Sequence, residues 1–269
     1  MTPNLRGFAL IVAALASALP RALSADDWCG EEGQSQRERY CEVREAVLPP
    51  GPGAIRVDAG ANGGISVQGT RRDERSLRVK IVAVADSAEE ARALVAGVRI
   101  ETSPTVHAEG PSSSGNGSWS VHFELTVPQR SDLSLTARNG GIVIDQVDGA
   151  IEFETTNGGV TLSGLAGKVD GRTTNGGVRL RLQGTEWQGE GLNVRTTNGS
   201  VSLRVPEGYN ARLVTGTVNG AVRMDSGLTV HGQLEQKNGA LRRIAADLGA
   251  GGHPIQVTTT NGGVIVEQR

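Results

Sequence analysis

Residues 155–162 read Thr-Thr-Asn-Gly-Gly-Val-Thr-Leu, and residues 173–180 repeat them as Thr-Thr-Asn-Gly-Gly-Val-Arg-Leu. The same Asn-Gly step returns at Asn139, Asn198, Asn219, Asn238 and Asn261, with an outlying copy at Asn62. From Asn139 to Asn261 the spacings are 18, 18, 23, 21, 19 and 23 residues. A period near 20 residues marks a stack of similar units, each unable to bury its apolar face alone.

Aligned on asparagine, the copies separate buried from exposed positions. Six residues before it stand Leu133, Ile151, Val169, Leu192, Leu213 and Ile255, and four before it Leu135, Phe153, Val194, Leu234 and Val257. Three after it come Ile142, Val160, Val178, Val201, Val222, Leu241 and Val264. Apolar residues alternate on both sides, which is the period of a strand with one buried face. The parity switches across Asn-Gly-Gly, so the chain turns there, and glycine supplies the positive φ expected of such a corner.

Two architectures fit. Each Asn-Gly is the turn of a β-hairpin in an antiparallel sandwich, or each period is one coil of a β-solenoid whose equivalent residues stack. The solenoid accounts for more. Val147-Asp148-Gly149 and Leu165-Ala166-Gly167 repeat a second bend, and the Thr-Thr-Asn triplets resemble stacked polar ladders. The eight asparagines, Asn62, Asn139, Asn157, Asn175, Asn198, Asn219, Asn238 and Asn261, are the expected turn and ladder residues.

The remaining chain divides around this repeat. Residues 1–24 carry Arg6, an apolar run from Phe8 to Leu19 and a small-residue exit, the pattern of a secretory signal peptide. The run is short for a membrane span, so no integral membrane segment is expected after cleavage, placed after Ser24 or Ala25. Residues 25–47 form a charged segment holding the only cysteines, Cys29 and Cys41. In an oxidising compartment such a pair is read as a disulfide. Residues 48–130 form an N-terminal β region. Within it, Ser87-Ala88-Glu89-Glu90 has capping-box spacing and opens a helix over 87–97. Residues 131–269 are the repeat proper; edge-to-edge pairing of its C-terminal strand at Val264–Arg269 with another copy is left open by the sequence, with Glu267 and Arg269 arguing against it.

Export signal, cysteine-bearing lead, Ala59-Gly60-Ala61-Asn62-Gly63-Gly64, the helix DSAEEARALV and the repeated TTNGGV together resemble the bacterial "putative adhesin" families of the DUF4097 type, over residues 40–269. The resemblance implies a right-handed β-solenoid in the cell envelope, periplasmic or at the cell surface. It implies no catalytic residues, since none are assigned for such families.

Composition narrows the chemistry. The chain holds 27 basic and 29 acidic residues and has a net charge of −2, which leaves no footprint for nucleic acid. Its 38 glycines contrast with 3 Trp, 2 Tyr and 3 Phe, so the core is aliphatic. The rival to a binding module is a polysaccharide-active enzyme, which needs converging carboxylates. Asp145 and Asp225 share a repeat position but fall several coils apart. The four histidines are scattered, and no metal or cofactor signature occurs. Gly164-Leu165-Ala166-Gly167-Lys168 lacks the spacer and the following hydroxyl of a phosphate loop. A non-catalytic adhesive or surface-binding scaffold is expected, with a structural or envelope-stress role as the alternative. Trp187, in the insertion 183–191, is the expected surface contact, and Arg172, Arg179, Arg181, Arg195 and Arg204 form either a basic stripe or a solvated face that guards against aggregation.

Overall fold

A computed structural model of the chain describes residues 28–30, 37–49, 51, 53–112 and 117–269. The expected signal peptide lies outside the described residues. The strands build two sheets, here A and B. After β1 (Glu38–Val47) in A, β2 (Ile55–Asp58) lies in B and β3 (Gly63–Thr70) in A. β4 (Ser76–Ala85) in A leads through helix α1 (Ala88–Ala96) to β5 (Arg99–Glu101) and β6 (Val106–Glu109) in B, then β7 (Ser118–Pro128) in A.

From there the chain alternates, B then A, in five turns. These are β8 (Leu133–Ala137) with β9 (Ile142–Asp145), and β10 (Asp148–Thr155) with β11 (Val160–Ser163). Next come β12 (Ala166–Asn175) with β13 (Val178–Arg181), and β14 (Gly191–Asn198) with β15 (Val201–Val205). The fifth is β16 (Ala211–Asn219) with β17 (Val222–Met224). β18 (Val230–Lys237) and β19 (Ala240–Leu248) both join sheet B, followed by β20 (Pro254–Asn261) in B and β21 (Val264–Gln268) in A.

Register decides between the two architectures. Thr155 lies opposite Ala137 and Thr173 in parallel neighbours, one period away in each direction. Each period is therefore one coil of a β-solenoid. Leu133, Ile151, Val169, Leu192 and Ile255 stack inside sheet B, and Ile142, Val160, Val178, Val201 and Val264 inside sheet A, all buried. Phe153 is the one ring in its row because its neighbour makes room. A Cβ on Gly171 would stand 2.1 Å from the Phe153 ring.

The corner glycines are required for a different reason from the one expected. Only Gly262 among them has positive φ. A Cβ on Gly140, Gly158, Gly176, Gly199 or Gly220 would instead stand 1.9–2.1 Å from a glycine carbonyl oxygen of the adjacent coil. The second corner position is roomier. A Cβ on Gly159 would meet its nearest atom at 3.6 Å, and Ser200 and Ala221 occupy the same place in other coils.

Asn238 departs from the repeat. Asn238 and Gly239 both have positive φ, 53° and 75°, and join β18 to β19 as an antiparallel hairpin, the geometry a two-residue turn demands. Leu234, aligned by sequence with core residues, is 46% exposed on this hairpin. One Asn-Gly copy is thus a hairpin turn, while the others are solenoid corners.

Chain order and stacking order also differ. β20 sits between β14 and β16, and β21 between β15 and β17, so the last coil is inserted into the stack. The strand expected to offer an open edge for self-pairing is hydrogen-bonded on both sides. The N-terminal end repeats the device, with β2 and β3 lying between the coils β6/β7 and β8/β9. Coils therefore begin well before residue 131. Helix α1 packs on β1 and β4, its Ser87 cap accepting from the Glu90 amide. Arg44 of β1 donates to the Val95 and Val98 carbonyls at its C-terminal end.

These contacts make neighbouring glycines unequal. Gly158→Ala is expected to cost about 3 kcal/mol by overpacking against backbone, whereas Gly159→Ala stays within about 0.5 kcal/mol of wild type. Denaturant unfolding of the two variants measures the contrast, and equal losses would contradict the packing described.

Candidate functional site

The corners carry two polar ladders, an asparagine ladder through seven coils and, in five of them, an inner threonine ladder. Inward-pointing Thr155, Thr173, Thr196, Thr217 and Thr259 donate to the carbonyls of Gly140, Gly158, Gly176, Gly262 and Gly199 at 2.8–2.9 Å. The buried hydroxyl and the crowded carbonyl satisfy each other, which removes a desolvation cost from both. Outside them the asparagine side chains bond in sequence. Asn219 donates to Asn261, Asn261 to Asn198, Asn198 to Asn175, Asn175 to Asn157, Asn157 to Asn139 and Asn139 to Asn62. All six distances fall between 2.7 and 3.2 Å, and all the amides point the same way. Asn238 takes no part. At the last coil no further threonine follows, and Arg242 of β19 donates to the Gly220 carbonyl in its place.

Trp187 is not a surface contact. It is 2% exposed and its indole donates to the Gly167 carbonyl at 2.9 Å. Trp187-Gln188-Gly189 continues the bend formed by Val147-Asp148-Gly149 and Leu165-Ala166-Gly167, and Gly149, Gly167 and Gly189 pack backbone to backbone. That spacing was the available signal for burial. Tyr209 is likewise buried, and burial together with nearby Glu186 pushes its hydroxyl up to about 12.

Cys29 and Cys41 form a disulfide, which holds Trp28 against the outer face of sheet A. The Trp28 ring lies 4.9 Å from the Arg78 guanidinium carbon and edge-on to His122 at 5.7 Å, while Lys80 donates to the Trp28 carbonyl. His122 also meets the Ser66 hydroxyl at 3.0 Å. Burial, with a smaller push from Lys80, holds the His122 pKa below its usual value.

The arginines do not form one stripe. Arg172 and Arg195 alternate with buried residues on sheet B, while Arg179, Arg181 and Arg204 face outward from sheet A. Arg172 pairs with Glu154 at 2.7 Å and Arg204 with Glu267 at 3.2 Å. The three on sheet A border a groove of about 470 Å³ whose other lining includes Gln68, Asp145, Thr161 and Ser163. Asp145 and Asp225 lie at β9 and just past β17, five strand spacings or about 24 Å apart. Paired carboxylates in glycoside hydrolysis stand about 5–9.5 Å apart. Among the described residues no three metal-binding side chains cluster, and no helix is long and apolar enough to cross a membrane.

Fold and corners define a β-solenoid held by threonine and asparagine ladders. The chain belongs to the Toastrack DUF4097 family, whose model matches residues 61–267. It is similar in structure to a "putative cell adhesion protein" from Clostridium sporogenes, at 13% identity and a TM-score of 0.43, covering 87% of this chain and 100% of that one. A "putative adhesin" from Bacteroides fragilis matches at 10% identity and 0.32, covering 86% and 97%. A "putative lipid binding protein" from Parabacteroides distasonis matches at 10% and 0.29, covering 84% and 96%. A search of curated proteins returns no match.

His122 gives the structure a pH dependence. Because its folded pKa lies below the unfolded value near 6.5, its contribution is complete above the unfolded value and is lost as pH falls from there through the lower folded value. His107 works in the opposite sense, raised chiefly by its hydrogen bond to the Thr105 carbonyl. The comparison is therefore between wild type and His122→Gln. The variant is expected to lose less stability between pH 7.5 and pH 5, read by urea midpoints. Identical pH profiles would contradict the assignment.

Proposed function

We propose that this chain is an exported, non-catalytic β-solenoid of the bacterial cell envelope, in the periplasm or at the surface, which presents an outer face to a ligand. The observation that carries the reading is the Cys29–Cys41 disulfide, a bond favoured by oxidising compartments, which holds Trp28 on the outside of sheet A. The signal-peptide pattern of residues 1–24 agrees with it. The ladders add the second half of the argument. They bind coil to coil at each corner, so the outer faces are held on a rigid support, which is what recognition needs from a scaffold.

A structural envelope role is the second reading. It is favoured by the same ladders, which spend the repeat's polar side chains on internal bonds rather than on an exposed cluster.

The test is retention. Purified protein lacking residues 1–24 is expected to co-sediment saturably with isolated bacterial envelopes. Absence of retention, together with altered envelope permeability in a deletion strain, would replace the binding role with the structural one.

A further inference from the structure

We infer that the groove across sheet A binds an acidic saccharide, with the sugar carboxylate held by Arg179 and Arg181. The inference rests on the reading of the protein as a ligand-binding envelope module and names the site and ligand class.

Register sets Val143, Thr161, Arg179 and Ser202 side by side in one row, and Asp145, Ser163, Arg181 and Arg204 in the next. The coil containing β11 contributes the small hydroxyl side chains Thr161 and Ser163, so the face dips there between bulkier neighbours. Two strand spacings, about 9.6 Å, separate the β9 side of this dip from the β13 side.

The two sides differ in chemistry. On the β13 side, Arg179 and Arg181 are exposed and have no acidic partner among the described residues. Arg204 beside them is already engaged by Glu267. Two free guanidinium groups on one strand face, two residues apart, can each offer a fork of donors to a carboxylate. On the other side, Gln68 and Asp145 offer an amide and a carboxylate, and the floor offers the two hydroxyls. These groups match the hydroxyls of a sugar. Val143, 41% exposed, adds an apolar surface for the C–H face of a ring.

Asp145 also narrows the ligand class. A phosphate places up to two charges on one compact group beside that carboxylate, whereas an acidic saccharide carries a single charge on each sugar and spaces it among hydroxyls, so one carboxylate can meet the arginines while hydroxyls meet Asp145. The groove's volume of about 470 Å³ falls in the range of small-ligand sites. The saccharide would lie outside the covered part of the face, because Trp28 occupies it over β4 and β7.

Isothermal titration of the protein lacking residues 1–24 with tri-galacturonate, neutral galactotriose and inorganic phosphate tests the site. Saturable binding is expected for tri-galacturonate alone, weakened at least tenfold in Arg179→Gln/Arg181→Gln and unchanged in Arg172→Gln on the opposite sheet. Thermal melts of both variants establish that they fold. Equal binding of galactotriose, full displacement by equimolar phosphate, or insensitivity to the double substitution would overturn the inference. Failure to bind tri-galacturonate while envelope retention persists would remove this site and leave the binding role standing. Loss of both would remove the role as well.

Discussion

The close approach of one corner backbone to the next is the constraint on which the rest of the structure depends. Each first corner glycine stands so near the carbonyl of the adjacent coil that no side chain fits between them. That carbonyl would be buried beside apolar residues without a partner, and in five coils the inward threonine two residues before the asparagine supplies one, while Ala137 stands in that place before Asn139. Glycine and threonine are therefore one device. Glycine permits the approach and threonine satisfies the group that the approach buries. The asparagine ladder outside them ties the same corners together.

A stack of this kind has two ends, and each end needs closure. Inserting the last coil between β14/β15 and β16/β17 gives its strands partners on both sides and makes the end depend on residues distant in the chain. The β18–β19 hairpin then extends sheet B, and Arg242 occupies the carbonyl that a further threonine would have taken. At the other end β4, β1 and α1 extend beyond the β6/β7 coil, with Arg44 bound to the end of the helix. Outward rows stay regular only between these closures, and the groove of sheet A lies there.

Much of this was legible in the repeat. The switch of apolar parity across Asn-Gly-Gly located the corners, and the recurrence of Thr-Thr-Asn matched a stack. The order of the stack was not legible, because periodicity reports which residues are equivalent and says nothing about which coil is inserted between which. Asn238 was misread since an Asn-Gly step serves a hairpin and a corner equally well. What separates them is the neighbouring strand, antiparallel β19 in one case and a parallel coil in the others. The need for glycine was seen but assigned to φ, when the cause was an approach between residues 18 or more apart. Trp187 was misread because a large ring in an insertion looks exposed, while its place two residues before a stacked glycine puts it inside. A single basic stripe, one of two expectations for the arginines, fails because Arg172 and Arg195 lie on sheet B and Arg179, Arg181 and Arg204 on sheet A.

The threonine hydroxyl stabilises the corner by satisfying a buried glycine carbonyl. Equilibrium unfolding of Thr173→Val tests this most directly, because the substitution keeps the side chain's shape and removes only the donor to the Gly158 carbonyl. A loss of about 1–2 kcal/mol is the predicted result. Stability equal to or greater than that of wild type would show that the hydroxyl is a burden to the core and that the ladder does not hold the coils together.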